Sequence, residues 1–197
     1  ADLNKLLEIR DAMGLTNSVS VTIQATFMES NISEMPALVR LAAELGVDRF
    51  KGHHMFITWP ELASQSLLRD KESRDRWNAT VESMMIEAKG HYSRAGKPLR
   101  LENVHLIPTD TTGNGPDPSW ECPFIGREAW VSWDGQFNVC CCPDSIRRGF
   151  GDFGHIGAGV SLMDLWGSSK YAGFVEGWGS YPQCATCNMR RPREEGR

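Results

Sequence analysis

The sequence predicts an α/β fold with a parallel sheet, joined to a small α+β unit organised by a hairpin and by cysteines. Three observations carry this reading. Over the first half, amphipathic helical segments alternate with β-branched runs, the pattern of βα units in a parallel sheet. Near residue 115 the texture changes, through the Gly/Pro/Asp/Thr-rich stretch TDTTGNGPDPSW, to short apolar runs separated by turns. All six cysteines, at positions 122, 140, 141, 142, 184 and 187, fall in the last 76 of the 197 residues. The predicted units are therefore 1–115 and 116–197, with no internal repeat.

Residues 3–13 space Leu3, Leu6, Leu7 and Met13 at helical intervals, and Gly14 closes the segment. Residues 18–28 alternate, with Val19, Val21, Ile23 and Ala25 on one face of a strand. Ser33 stands as the N-cap of a helix over 34–45, with Pro36 tolerated in the first turn. Leu38, Leu41, Ala42 and Leu45 form its apolar stripe, and Gly46 its stop. VDRFKGHHMF (47–56) is the second strand. A polar helix over about 70–90 carries Trp77, Val81, Met84 and Met85, and LRLENVHLI (99–107) is the third strand. Lys and Arg in RDKESRDR (69–76) are interleaved with acids, as on a solvated helix face.

Composition narrows the function classes. The chain is 41% hydrophobic and 23% charged, the balance of a globular protein, with net charge −4 and pI about 5.8. That acidity argues against a broad nucleic-acid-binding surface. No apolar run approaches the ~18 residues of a membrane span, and the first residues lack the apolar centre of a signal peptide. The cysteines read as reduced thiols of a cytoplasmic protein, with metal ligation as their use.

Their spacing supports metal ligation. Cys122 is followed by twelve residues, Gly135, four residues and Cys140. Asp134-Gly135 lies between the apolar-rich runs EAWVSW and QFNVC, a strong hairpin signal that folds Cys140 back toward Cys122. Forty-four positions after Cys140, Cys184-Ala-Thr-Cys187 supplies two more thiols. Four thiolates suit tetrahedral zinc or an iron–sulfur cluster.

Cys-x12-Gly-x4-Cys followed at a distance by Cys-x2-Cys resembles the auxiliary-cluster domain of radical S-adenosylmethionine enzymes, called SPASM, or Twitch in its shortened form. Pro143-Asp144, GHIGAG, SLMDLW and the segment around Tyr171 are similar to it as well. No cysteine follows Cys187, so the resemblance is to the single-cluster Twitch form. It implies one auxiliary [4Fe–4S] cluster on Cys122, Cys140, Cys184 and Cys187, with zinc as the competing occupant. More loosely, Asn31 before an amphipathic helix and Leu45-Gly46-Val47-Asp48 before a strand resemble later units of that family's barrel. The implied fold is the C-terminal half of a partial (β/α)6 barrel followed by a small α+β metal-cluster domain. The family's Cys-x3-Cys-x2-Cys triplet, which holds the cluster that cleaves S-adenosylmethionine, is absent from this sequence.

The resemblance implies a role in a radical oxidoreductase that dehydrogenates, epimerises or crosslinks a small metabolite or peptide. S-adenosylmethionine and a second [4Fe–4S] cluster would bind only with an N-terminal radical segment. An electron donor such as flavodoxin or ferredoxin would be a further partner. The alternative is a non-catalytic metal-binding interaction module. Within the chain, His53 and His54 sit late in a strand and His105 holds the equivalent place on the next, where parallel strands of a barrel face the cofactor. Asn31 is a further cofactor contact or the shaper of its own turn. Cys141 and Cys142 are hydrogen-atom donor candidates or packed thiols. Alternation along the strand turns Cys141 away from Cys140, and Cys142 would face the same way as Cys140 if the strand ran on, but Pro143 is expected to end it there. Trp120, Trp130 and Trp133 are expected as core around the hairpin.

Overall fold

The computed structural model describes residues 2–57, 59–109 and 116–193. The chain divides into two compact units, Ala1–Asn114 and Gly115–Arg197.

In the first unit α1 (Asp2–Ala12) leads to β1 (Thr22–Phe27), α2 (Met35–Leu45), β2 (Arg49–His54), α3 (Lys71–Ala88) and β3 (Arg100–Glu102). The strands form one parallel sheet in the order β1-β2-β3, in register from Thr22↔Arg49 to Phe27↔His54 and from Arg49↔Arg100 to Lys51↔Glu102. The expected alternation thus yields a small parallel α/β sheet. α2 packs on α3, and Val39, Ala42, Val47, Phe50, Trp77, Val81 and Met84 form the core between helices and sheet.

Several local expectations shift. Ser33 does not cap α2; it lies inside a 3-10 turn, Ile32–Glu34, whose carbonyls hand the chain directly into the helix, with Pro36 in its first turn as expected. Gly46 adopts φ 70° as the helix stop, a left-handed conformation glycine enters at little cost. The buried face of α2 is Met35, Val39, Ala42 and Ala43, while Leu41 is exposed. In α1 only Leu7 and Arg10 are buried, and Leu6 and Met13 face outward. Arg10 reaches the sheet instead: its Nη1 donates to Asp48 Oδ2 at 2.7 Å, and that same oxygen accepts the Val21 backbone N–H at 2.7 Å. A buried guanidinium needs such a partner, and this one ties α1 to the start of both strands.

The third strand is shorter than its apolar pattern suggests. Asn103 turns the chain with φ 60°, its Nδ2 donating to the Gly52 carbonyl at 2.9 Å. Beyond it the backbone is held by α3 side chains: Trp77 Nε1 donates to the His105 carbonyl at 2.9 Å, and Asn78 exchanges two bonds of 2.8 Å with Ile107. The ladder stops because helix side chains take over its hydrogen-bonding groups.

The second unit has little regular structure. A two-stranded antiparallel hairpin, β4 (Trp130–Val131) and β5 (Phe137–Asn138), is followed by short helices α4 (Asp144–Arg147), α5 (Leu162–Trp166), α6 (Ser169–Gly177) and α7 (Pro182–Ala185). Ser161 and Asp164 form a reciprocal capping box on α5, and Ser168 caps α6. Aromatic rings fill the interior: Phe137 meets Tyr171 at 5.3 Å, and Phe174 meets Phe150 at 5.3 Å and Phe153 at 5.5 Å. Among the described residues no helix is long and apolar enough to cross a membrane.

Candidate metal centre

The hairpin forms where Asp134-Gly135 places it. Gly135 has φ 92°, and a Cβ there would stand 2.9 Å from the Ile156 carbonyl oxygen, so a side chain is excluded on two counts. Asp134 Oδ1 accepts the Gln136 N–H at 3.2 Å, and Ser132 N–H donates to the Gln136 carbonyl at 2.9 Å. A strip at 154–156 covers the outer edge of β5: Phe137 N–H donates to Gly154 O at 2.9 Å and Ile156 N–H to Gly135 O at 2.8 Å. The end of β5 is thereby fixed, and with it the start of the Cys140–Cys142 run.

The other thiols are held by a second device. Glu121 and Arg191 exchange backbone hydrogen bonds of 2.9 and 3.1 Å, which lays the segment entering Cys122 beside the one leaving Cys187. The first turn of α7, opened by Pro182, carries Cys184, and the Cys187 N–H donates back to the Cys184 carbonyl at 3.3 Å. All six cysteines are free, with Cys142 and Cys184 buried and the others half-buried.

The ionisation of these thiols reports their mutual placement. Cys140 is held down to about 3, because the Cys141 and Cys142 thiols both donate to its sulfur and the backbone amides of both residues add to them. Those two neighbours are correspondingly pushed far up, as donors to a thiolate beside them. Burial raises Cys122 despite the Ile125 and Phe124 backbone N–H groups at its sulfur, and the Cys140 charge raises it further. Burial first, then the surrounding thiolates, pushes Cys184 and Cys187 up to about 12. The Cys140 charge is felt at Cys122, Cys184 and Cys187 alike. Among the described residues no three His, Cys, Asp or Glu side chains converge on a single point as a ready-made ion site.

The chemistry of this donor set fits a metal centre. Four thiolates brought together repel one another, and a positively charged metal centre is what reverses that penalty. Cys122, Cys140, Cys184 and Cys187 can supply the ligands. The expected turning-away of Cys141 does not occur. β5 ends at Asn138, so alternation has lapsed before the cysteines, and a bend gathers both following thiols onto Cys140.

The remaining candidates lie in the first unit or on the surface. His54 is buried at the end of β2, its ring 5.7 Å from Phe27 and 4.6 Å from Trp77, and neither ring nitrogen has a hydrogen-bond partner. His53 is half-buried with Nδ1 3.3 Å from Asn103 Nδ2. His105 lies beyond β3 rather than in it, although its charge, with that of His53, is felt at His54. Asn31 spends both ends of its amide on its own turn: Oδ1 accepts Met28 N–H at 3.0 Å and Nδ2 donates to Thr26 O at 2.9 Å. Trp120 is buried and Trp130 stacks edge-on to Phe124, but Trp133 is 98% exposed at the hairpin tip, not core. Sequence reasoning passed over Arg190, a buried cation between the two cysteine-bearing segments; its position three residues past Cys187 was the available signal.

Residues 122–188 match the family model of SPASM, an iron–sulfur cluster-binding domain. No curated protein matches the chain. The match opens on Cys122 and closes one residue beyond Cys187, so the similarity to an iron–sulfur cluster-binding domain spans all four candidate ligand positions.

Proposed function

We propose that the second unit holds one auxiliary [4Fe–4S] cluster on Cys122, Cys140, Cys184 and Cys187, in a radical S-adenosylmethionine oxidoreductase that modifies a small metabolite or a peptide. The observation that carries this reading is the match of residues 122–188, which contain all four of these cysteines, to an iron–sulfur cluster-binding family. When bound, such a cluster supplies electron transfer or rigidity to the site. The thiolates hold it, and the rings of Phe150, Phe153, Phe174 and Tyr181 keep water from the interior of the same unit. The parallel sheet of the first unit is read as the later part of a partial barrel, with His53, His54, His105 and Asn31 near the strand ends that face cofactor and substrate in such barrels. Residues 1–121 contain no cysteine, so the triplet that cleaves S-adenosylmethionine is assigned to a radical segment outside this sequence, served by a flavodoxin- or ferredoxin-like donor. The setting is the cytoplasm, where thiols stay reduced.

Anaerobic purification and reconstitution test this directly. The protein should be brown and contain about four irons per chain, as one four-thiolate cubane requires. A colourless protein with a single zinc overturns the reading in favour of a non-catalytic metal-binding module.

A further inference from the structure

We propose that the cavity lined by Arg190, Trp120 and Trp178 is a binding site for an organic carboxylate with an apolar or aromatic body. The site is defined without the four cysteines and goes beyond the cluster reading. It lies wholly within the second unit and encloses about 420 Å3, within the range of small-molecule sites. Trp120, Trp178 and Pro118 form apolar wall, and Arg190, Glu121 and Arg193 are its charged groups. Arg190 is only 9% exposed. Its Nε donates to the Trp120 carbonyl at 2.8 Å, its Nη2 donates to the Pro118 carbonyl at 2.5 Å, and the guanidinium stands over the Trp178 ring at 5.4 Å. These contacts fix the guanidinium while using only two of the five N–H donors it carries. Nη1 has no partner among the described residues, yet it is not sealed from solvent.

Charge makes the occupant an anion. A guanidinium sunk among neutral carbonyls and an indole carries a desolvation cost that neutral partners offset only in part. Among the described residues it makes no ion pair. Glu121, the carboxylate on the cavity wall, pairs with Arg127 at 3.0 Å and with Arg193 at 4.0 Å. The nearby Asp117 carboxylate accepts the Ser119 hydroxyl and N–H instead. Two cations thus face one carboxylate that is already paired, and the cavity keeps net positive charge. A planar guanidinium is well matched to a carboxylate, and indole and proline walls take an apolar body. Inorganic phosphate offers those walls nothing. Such a carboxylate belongs either to a free acid or to the C-terminus of a peptide.

The full chain, purified anaerobically, is titrated calorimetrically with phenylacetate, its neutral isostere phenylacetamide, N-acetylphenylalanine as a peptide C-terminus, and inorganic phosphate. At least one of the two acids should bind with a Kd of about 1 mM or tighter. Phenylacetamide should bind about tenfold more weakly than phenylacetate, the loss of a charge-assisted hydrogen bond. Tighter binding of N-acetylphenylalanine assigns the site to a peptide end, and tighter binding of phenylacetate to a free acid; either supports the proposal. Arg190→Met should abolish binding. Because that variant also loses the two carbonyl bonds, Trp178→Leu and Arg193→Ala serve as independent checks, with expected losses of about tenfold and about threefold. No binding of either acid at ten times that concentration overturns the proposal. So do equal affinities for phenylacetate and phenylacetamide, tighter binding of phosphate than of both acids, or undiminished binding in both Trp178→Leu and Arg193→Ala.

Discussion

Cys140, Cys141 and Cys142 are chemically identical and adjacent, yet their surroundings give them opposite roles. Cys140 receives hydrogen bonds from both neighbours and holds a thiolate; the neighbours, as donors, hold their protons. Replacing Cys122, Cys140, Cys184 or Cys187 with Ala should therefore remove most of the iron, whereas Cys141→Ala and Cys142→Ala should keep it, as read by iron analysis and visible absorption. Loss of iron in Cys142→Ala with retention in Cys140→Ala would move the ligand by two positions. His54 offers a second test. Burial, followed by the nearby His105 and His53 charges, lowers its pKa to about 3 from an ordinary value of 6.5. The unfolded chain binds the proton first, so stability is complete above pH 6.5 and falls as pH drops from there toward 3. The decline should approach about 1.4 kcal/mol per pH unit. Hydrogen exchange at β1 and β2 measures it, and His54→Phe should flatten the slope if the ring fits among Phe27 and Trp77.

At the scale of elements, the parallel pair β1–β2 depends on one close approach. A Cβ on Gly52 would lie 1.9 Å from Cζ of Phe27, on the strand beside it. The ring has no free side to move to, since Trp77 is 4.7 Å and His54 5.7 Å away. Gly52→Ala should lower the urea midpoint of the first unit by about 1–3 kcal/mol equivalent or more, the cost of overpacking a full core. An unchanged midpoint would mean that Phe27 repacks freely. The hairpin was legible, because Asp134-Gly135 demands a turn whatever surrounds it. The end of β3 was not, because Trp77 and Asn78 capture the backbone at 105 and 107 from twenty-eight and twenty-nine residues away.

Across the whole molecule, the two units have separate sources of stability. The first buries a continuous aliphatic and aromatic core against a sheet, while the second joins short helices and a two-stranded hairpin around rings and thiols. Metal removal by an anaerobic chelator should therefore raise amide exchange throughout 116–193 and leave β1, β2 and α3 protected. Uniform loosening of both units would show that their folding is coupled. Which residues alternate, where Gly46 and Gly135 must turn the chain, and which cysteines have ligand spacing were already written in the order of amino acids, since each depends on a period or a fixed interval along the chain. The tertiary structure alone decided that Arg10 is buried against Asp48, that Trp133 faces solvent, that three consecutive thiols gather at Cys140, and that Arg190 sits buried between the segments bearing Cys122 and Cys187. Each of these turns on a partner distant in sequence or on a bend that cancels alternation, and no local pattern encodes which distant group will be there to meet a side chain.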